Sequence, residues 1–413
     1  MNDPVVIVGA GLSGLTAAKI LRRSGVETLI LESSDAVGGR ARTDVVEGFK
    51  LDRGFQVFLT AYPEAEKHLD YPRLKLNRFE PGSLIWVGGQ FQSLVDPWRR
   101  PSQVFKTAFS QVGSLSDKLR IALLRRNVSA GTLDDLFQRE DQTSLAFLRD
   151  FGFSENMIKR FLRPFFGGVF LDADLETSCR MLYFVFRMFG KGDAALPTEG
   201  MGALSQQLAE GLPEDSLRLS AKMSEFDGNE VRLTSGEAVP YSRLLVATDQ
   251  SSAAEQIPEL NNERLSRSVT TLYFAAERSP CKKKMLVLNG SQRGLINHLC
   301  VPSEVAPSYA PEGQALISIT VLRHQLDSSK LISEVISEAE AMFGNQVQGW
   351  RHLRTDQIHR ALPNQSTPAF NDPRPLAKLK SNLFVCGDYR TNGSINGAMQ
   401  SGRWAAEEIL RSF

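Results

Sequence analysis

Cysteine is scarce in this chain. There are four in 413 residues, Cys179, Cys281, Cys300 and Cys386, with no CxxC pair and no metal-ligand spacing. That excludes a disulfide-stapled scaffold and a cysteine-held metal, and leaves each thiol with core packing as its default role. The five histidines are scattered, so no metal cluster and no Ser–His–Asp set stands out. No apolar run approaches the ~18 residues that span a bilayer. Neither sign of charge is in excess: the formal net charge is +1, and no nucleic-acid partner is expected. No internal repeat or low-complexity stretch is present. The remaining composition, 42% hydrophobic and 23% charged, is that of an ordinary globular protein long enough for two domains with full cores. Val5 already belongs to an apolar run, so no leader peptide and a cytoplasmic location are expected.

One stretch carries specific chemistry. Residues Val5 to Ala18 read VVIVGAGLSGLTAA. Val5 to Val8 suit a parallel strand buried on both faces. Gly9 permits a tight turn, Gly11 lets backbone approach a pyrophosphate, and Gly14 lets the next helix pack on the sheet. Leu12 and Ser13 open that helix, whose positive end faces the phosphates. Leu29 to Leu31 read as a second strand, and Glu32, followed by Ser33, is placed to accept hydrogen bonds from ribose hydroxyls. An ordinary strand–turn–helix would leave the placing of Glu32 unexplained. This motif predicts a dinucleotide and does not separate NAD from FAD. Glu32 argues against a 2′-phosphate, which would meet like charge.

A second signature, VGGRART (Val37 to Thr43), follows closely. Gly38 and Gly39 permit close backbone approach, and Arg40 can offset pyrophosphate charge. Glycines and arginines just after the ribose acid resemble the FAD-binding segment of the flavin amine oxidase superfamily, nearer its phytoene desaturase and protoporphyrinogen oxidase branch than its monoamine oxidases. LDRGFQ (Leu51 to Gln56) resembles the segment whose backbone passes the isoalloxazine, with Gly54, Phe55 and Gln56 as implied contacts. LPTEGMGALSQQLAE (Leu196 to Glu210) resembles the family's Pro–Gly–Met turn and helix, and the resemblance puts adenine near Met223. VPYSRLLVATD (Val239 to Asp249) resembles the strand returning to the dinucleotide fold. NLFVCGDYRTNGSINGAMQSGRWAAEEIL (Asn382 to Leu410) resembles the C-terminal signature. It implies Gly387 and Asp388 at the ribityl or pyrophosphate region, and Ser394, Ile395 and Ala398 at a helix start facing flavin N1 and O2. A helix N-terminus there would stabilise the anionic reduced flavin.

The motif positions predict an α/β architecture: a Rossmann-type FAD-binding domain interleaved with an α+β substrate domain, an antiparallel sheet flanked by helices. The FAD domain would take residues 1–57, 195–254 and 376–413; the substrate domain would take 58–194 and 255–375. Residues 58–194 show helical periods, as at Ser116 to Arg126 and Thr143 to Phe151. Residues 255–375 hold strand-like VTTLYFAAE, KMLVLN and QALISITVL, then an amphipathic helix from Ser328 to Phe343. A substrate cavity between sheet and flavin is expected. FLRPFFGGVFLDADLETS (Phe161 to Ser178) resembles a cavity-shaping segment of desaturases. Its phenylalanines, with Phe184, Phe186, Met188 and Phe189, are read first as interdomain core and second as substrate contacts.

The family's chemistry is hydride acceptance at flavin N5. Catalytic side chains stay unassigned; His298 and His359 are the candidates in the substrate segments, each equally readable as an ordinary histidine. Amine oxidases resembling this chain flank the flavin with two aromatic rings. Here the approach segment ALPNQSTPAFNDPRP (Ala361 to Pro375) has no Tyr or Trp, and the second position is Ser394. SVTTLYFAAE (Ser268 to Glu277) lacks the lysine amine oxidases carry near N5. No cysteine stands where some relatives attach FAD, so FAD is expected to be non-covalent. With one GxGxxG and no redox cysteine pair, a direct NADPH site is not indicated. The reading is an oxidoreductase for a bulky apolar substrate (isoprenoid, tetrapyrrole or related lipid), reoxidised by oxygen or a quinone. The alternatives are an amine oxidase with an atypical cavity and a flavin-containing binding protein without turnover.

Residues 96–126 concentrate Arg99, Arg100, Lys106, Lys118, Arg120, Arg125 and Arg126 against Asp96 and Asp117, with Trp98, Phe105, Phe109 and Leu115 among them. Such a mixture suits peripheral membrane contact. It equally suits two amphipathic helices with a solvated basic face.

Overall fold

The computed structural model describes residues 3–96, 99, 112–260, 266–291, 293–323, 325–367 and 374–413. Five parallel strands form one sheet in the order Leu217–Arg218, Thr28–Leu31, Val5–Val8, Arg243–Val246, Leu383–Val385. Alternation of side chains divides it between two cores. Val5, Ile7, Ile30, Leu245 and Phe384 face one way, into the core that also holds Leu15 and Leu21 of the helix Leu12–Arg23 and Ala405 and Ile409 of the helix Ile395–Arg411. Val6, Val8, Leu29, Leu31, Leu244 and Val246 face the other way, against Met223, Val231, Leu233 and Val239. Those four belong to a three-stranded antiparallel sheet of Met223–Phe226, Glu230–Leu233 and Ala238–Pro240. Burial on both faces is why the central strands read as continuous apolar runs.

A larger sheet has seven strands, in the order Arg351–Leu362, Arg267–Ala276, Ala315–Val321, Ile296–Cys300, Leu286–Asn289, Gly82–Val87, Gln90–Val95. The expectation of an antiparallel sheet holds for every neighbouring pair but one: Leu286–Asn289 runs parallel to Gly82–Val87. The exception arises because Gly82–Val87 and Gln90–Val95 come from the stretch read as helical. They are a hairpin turning at Gly88 and Gly89, with φ +62° and +75°. Two successive positive φ values match the twist of a tight hairpin, and Gly-Gly was the available signal.

Leu272, Phe274, Leu299, Ile317, Ile319 and Val321 cover one face of this sheet and pack with Leu331, Val335 and Ala339 of the helix Ser328–Phe343. That helix starts at the Asp327 cap, which accepts from Lys330 N, and stops at Gly344, φ +73°. The opposite face carries Thr271, Tyr273, Thr320 and His298, and it looks toward the cavity described next. Helices Leu115–Ser129, Ser144–Asp150, Arg163–Phe170 and Cys179–Lys191 form a further layer.

Candidate active site

A cavity of about 800 Å³ runs from the first turn of the parallel sheet to the helical layer. Seventeen of the nineteen residues singled out from sequence line it: Gly9, Gly11, Leu12, Ser13, Glu32, Ser33, Gly38, Gly39, Arg40, Gly54, Phe55, Gln56, Gly387, Asp388, Ser394, Ile395 and Ala398. Gly14 and Met223 do not. Gly14 sits where a Cβ would lie 2.1 Å from Gly9 O, so its task is helix packing. Met223 is buried beneath the parallel sheet, with the neighbouring backbone at Ala221 donating to Glu32 O.

The dinucleotide end is mostly backbone. Gly9 adopts φ +108° with Ala247 O behind it, so a Cβ would come within 2.8 Å of that oxygen. A Cβ on Gly11 would meet nothing within 4 Å; it would project into the cavity. Gly11 also caps the helix Leu12–Arg23 without any side-chain hydrogen bond. The first N–H groups of an uncapped helix seek an acceptor, and a pyrophosphate fits that need. Gly38 is held against this turn by donating to Ala10 O at 2.8 Å. Glu32 is buried at the end of its strand. Its Oε2 accepts from Ala10 N at 2.7 Å, and its Oε1 accepts from Ser34 N and Ser34 Oγ at 2.8 and 2.7 Å. The carboxylate is therefore fixed in place by the protein.

Arg40 reaches across to the C-terminal signature. It donates to Asp388 Oδ1 at 2.7 Å and to Ala361 O at 3.1 Å, while its side chain stays 37% exposed toward the cavity. Burial works to lower its pKa, but the Asp388 charge and hydrogen bond outweigh it and hold the guanidinium above its ordinary value. Gln56 steadies the same residue, donating to Arg40 O at 2.7 Å. Gly387, at φ +154°, passes under the Tyr389 ring, and its N–H donates to Ser401 Oγ. Ser394 caps the helix Ile395–Arg411 by accepting from Gly397 N at 2.9 Å.

Sequence reasoning missed the anchor beneath the LDRGFQ segment. Asp52 is buried; it accepts from Met201 N and Tyr309 Oη, each at 2.9 Å, and from Thr43 Oγ1. Tyr273 Oη donates to Asp52 O at 2.7 Å. Burial pushes the Asp52 carboxyl up to about 6, against the pull of these donors. Through Tyr273 the network ties the seven-stranded sheet to the chain leading into the turn at Gly54. There φ is +78° and a Cβ would come within 2.8 Å of Ile358 Cδ1.

The far end of the cavity is apolar. Phe161, Phe165, Phe170, Phe186 and Phe189 line it with Met181, Val185 and Leu171. Phe166, Phe184 and Met188 are core instead. The core reading holds for the five lining rings as well, since Phe170 belongs to the main core and Phe161, Phe165, Phe186 and Phe189 pack against it, while one edge of helices Arg163–Phe170 and Cys179–Lys191 also faces the cavity. His298 lines it, and His359 does not. None of the four cysteines lines it; all are free, and Cys179, Cys300 and Cys386 are buried. Among the described residues no group of acidic, His and Cys side chains is placed to hold a metal.

In the 96–126 segment, Trp98, Arg100, Phe105, Lys106 and Phe109 lie outside the described residues. Arg99 is anchored to Asp193 at 2.9 Å, and Arg125 to Asp96 at 2.8 Å. Leu115, Leu119 and Leu123, one turn apart on a single helix, are 65%, 61% and 57% exposed.

The family model for flavin-containing amine oxidoreductases matches residues 12–410. This chain belongs to that family. FAD is its cofactor, and its members are oxidoreductases. The uncapped first helix, the open face of Gly11 and the Arg40 guanidinium suit that cofactor. Among curated relatives, the chain is 24% identical to a hydroxysqualene dehydroxylase of Sinorhizobium fredii, over 99% of both chains. It is 25% identical to human lysine-specific histone demethylase 2 over 64% of its own length, but spans only 32% of that protein. Its fold matches an oxidoreductase from Methanosarcina mazei with a TM-score of 0.75 and 17% identity, covering 99% of this chain and 100% of the other. Within the family, a Rossmann-type sheet and a large antiparallel-type sheet enclosing one cavity are what this chain shows.

Proposed function

We propose that this oxidoreductase dehydrogenates a bulky apolar molecule, an isoprenoid, tetrapyrrole or related lipid, and passes the electrons to oxygen or a quinone. The observation that carries the reading is the wall of Phe161, Phe165, Phe170, Phe186 and Phe189 in the same cavity as the dinucleotide end. The likeness to a hydroxysqualene dehydroxylase along the full chain supports an isoprenoid within that class. FAD supplies the hydride acceptor, its N5. The chain's own part is to bind, orient and keep water out. Gly9, Gly11, Leu12, Ser13, Gly38, Gly39 and Arg40 would take the pyrophosphate, Glu32 and Ser33 the ribose, and Gly54, Phe55, Gln56, Gly387, Asp388, Ser394, Ile395 and Ala398 the flavin half. Gly14 and Met223 would act by packing. With no cysteine on the cavity wall among the described residues, attachment would be non-covalent.

We also assign the parallel sheet and its helices to cofactor binding, and the seven-stranded sheet with the helical layer to substrate. The exposed Leu115, Leu119 and Leu123 lie on a helix whose Lys118, Ile121 and Arg125 line the cavity, and this supports entry of substrate from a bilayer surface. Among the described residues no helix is long and apolar enough to cross a membrane.

The test is anaerobic flavin reduction. Isoprenoid and tetrapyrrole candidates, chosen by mass spectrometry of co-purifying small molecules, are expected to bleach the flavin. A panel of amines is expected to leave it oxidised and to yield no peroxide in air. Bleaching by amines alone would replace this reading with amine oxidation, and bleaching by no reductant would favour a binding protein.

A further inference from the structure

One row of side chains interrupts the apolar end of the cavity. His298, Thr320 and Thr271 are neighbours across three adjacent strands: His298 is paired in register with Thr320, and Thr320 with Thr271. All three are buried, His298 at 4%, Thr320 at 2% and Thr271 at 0% exposure. Among the described residues His298 Nε2, Thr320 Oγ1 and Thr271 Oγ1 have no hydrogen-bond partner. His298 and Thr320 line the cavity, and a Cβ on Gly54 would lie 3.8 Å from Thr271 Oγ1. The His298 ring meets the Phe55 ring edge-on, with centroids 5.3 Å apart. A buried polar group without a partner is costly, so the two on the cavity wall, His298 and Thr320, call for a ligand that supplies the missing partners.

The proton on His298 can be placed. Asn297 Nδ2 donates to Pro164 O at 3.0 Å, and a carbonyl can only accept, so the amide group there is the NH₂. The same Nδ2 lies 2.9 Å from His298 Nδ1, which must therefore accept. Burial pushes His298 down to about 3, so the ring is neutral. A neutral ring that accepts at Nδ1 carries its proton on Nε2.

We propose that His298 Nε2–H and Thr320 Oγ1 form a polar subsite that binds one hydroxyl or carbonyl oxygen on an otherwise apolar substrate. His298 donates to that oxygen. The Thr320 hydroxyl accepts from an alcohol or donates to a carbonyl. Phe55 lies beside the subsite in the segment proposed to contact the flavin, so the bound oxygen would fix which carbons of the substrate face the cofactor. His298 is thus a substrate-orienting residue and not a base, since its accepting nitrogen is held by Asn297. The proposal rests on the apolar-substrate reading and narrows it to oxygenated members of that class.

The experiment titrates the holoenzyme with farnesol and with farnesene and follows the flavin absorbance. Farnesol is expected to bind about ten-fold more tightly than farnesene. His298→Phe and the isosteric Thr320→Val are each expected to bring the two ligands within about two-fold while retaining FAD. His298→Gln, which keeps an N–H donor, is expected to restore part of the preference. An unchanged preference in both His298→Phe and Thr320→Val would overturn the proposal. So would a ¹⁵N spectrum of histidine-labelled holoenzyme that places the His298 proton on Nδ1. Failure of both ligands to perturb the flavin counts against the isoprenoid reading, and the ¹⁵N spectrum then decides the His298 assignment by itself.

Discussion

At its dinucleotide end the cavity is walled by backbone; at its far end it is walled by rings. Gly9, Gly38, Gly39 and Gly387 all take positive φ at the first end, where main-chain atoms come close to one another and to the space between them. At the second end, phenylalanines from two helices face a polar row on a sheet. At Gly9 and Gly38 the first kind of wall leaves no room for a side chain, so its specificity there is steric and local. The second tolerates many apolar shapes, so its specificity has to come from the few polar groups set into it. A shared cofactor and a divergent substrate would be served by this division, because the two walls can change independently.

Adding one carbon at Gly11 and at Gly14, in the same turn, separates helix packing from cofactor approach. A Cβ at Gly14 would come 2.1 Å from Gly9 O, whereas one at Gly11 meets only open cavity. Gly14→Ala is expected to cost more than ~3 kcal/mol or to prevent folding, since sheet and helix must part. Gly11→Ala is expected to leave the apo protein within ~0.5 kcal/mol of wild type, yet to weaken FAD binding by roughly 1–3 kcal/mol. Apo-protein melting and FAD titration separate the two. FAD affinity in Gly11→Ala equal to wild type would remove the pyrophosphate from this turn.

That contrast also explains what was legible in the sequence. The turn at Gly9 to Gly14, the acid at Glu32 and the pair Gly38–Gly39 are contiguous or nearly so, and their physical demands are met within a few residues. Strands such as Val5–Val8 and Ala315–Val321, and the helix Ser328–Phe343, announce themselves by local periodicity and caps. The far wall has no such local rule. Phe165 and Phe166 are adjacent, yet one lines the cavity and the other is core, and only the docking of the helix decides which. The Asp52 network joins residues as far apart as Thr43, Met201 and Tyr309, and His298 acquires its meaning from Asn297, Pro164 and Thr320. Residues that distant in sequence leave no spacing to read.

Asp52 is buried two residues before Gly54, where the chain enters the turn on the cavity wall. Its folded pKa is raised from 3.8 to about 6. The folded state therefore holds this proton more tightly than the unfolded state. The contribution to stability is fully present below about pH 3.8 and is lost as pH rises through about 6. Asp52→Asn keeps a neutral side chain of the same shape throughout. Its stability relative to wild type is thus expected to rise by about 2–3 kcal/mol between pH 4 and pH 7. Urea unfolding of both proteins at each pH measures the difference; no change with pH would mean that Asp52 ionises at its ordinary value and that its donors cancel the effect of its burial.

The smallest expected effect lies at the rim of the apolar wall. The helix Leu115–Ser129 turns Ile121 inward, with Lys118 and Arg125 beside it on the cavity wall, and leaves Leu115, Leu119 and Leu123 outward on the other face. Arg125 on that helix is bound to Asp96, and nearby Arg99 to Asp193, which removes both from contact with a headgroup. Among the described residues Arg126, exposed on the same helix, is a charge available to an anionic leaflet, worth about 1 kcal/mol. The leucines supply the larger share, since partial burial of each adds on the order of 1 kcal/mol. Co-sedimentation with phosphatidylserine-containing vesicles is expected to fall about ten-fold or more in the Leu115→Ser, Leu119→Ser, Leu123→Ser triple variant, and only a few-fold in Arg126→Gln. Added salt should abolish the second difference and spare most of the first, because screening acts on charge and not on apolar transfer. Equal, negligible sedimentation of wild type with neutral and anionic vesicles at low salt would end the bilayer reading and leave the leucine stripe as a solvent-facing edge of the substrate wall.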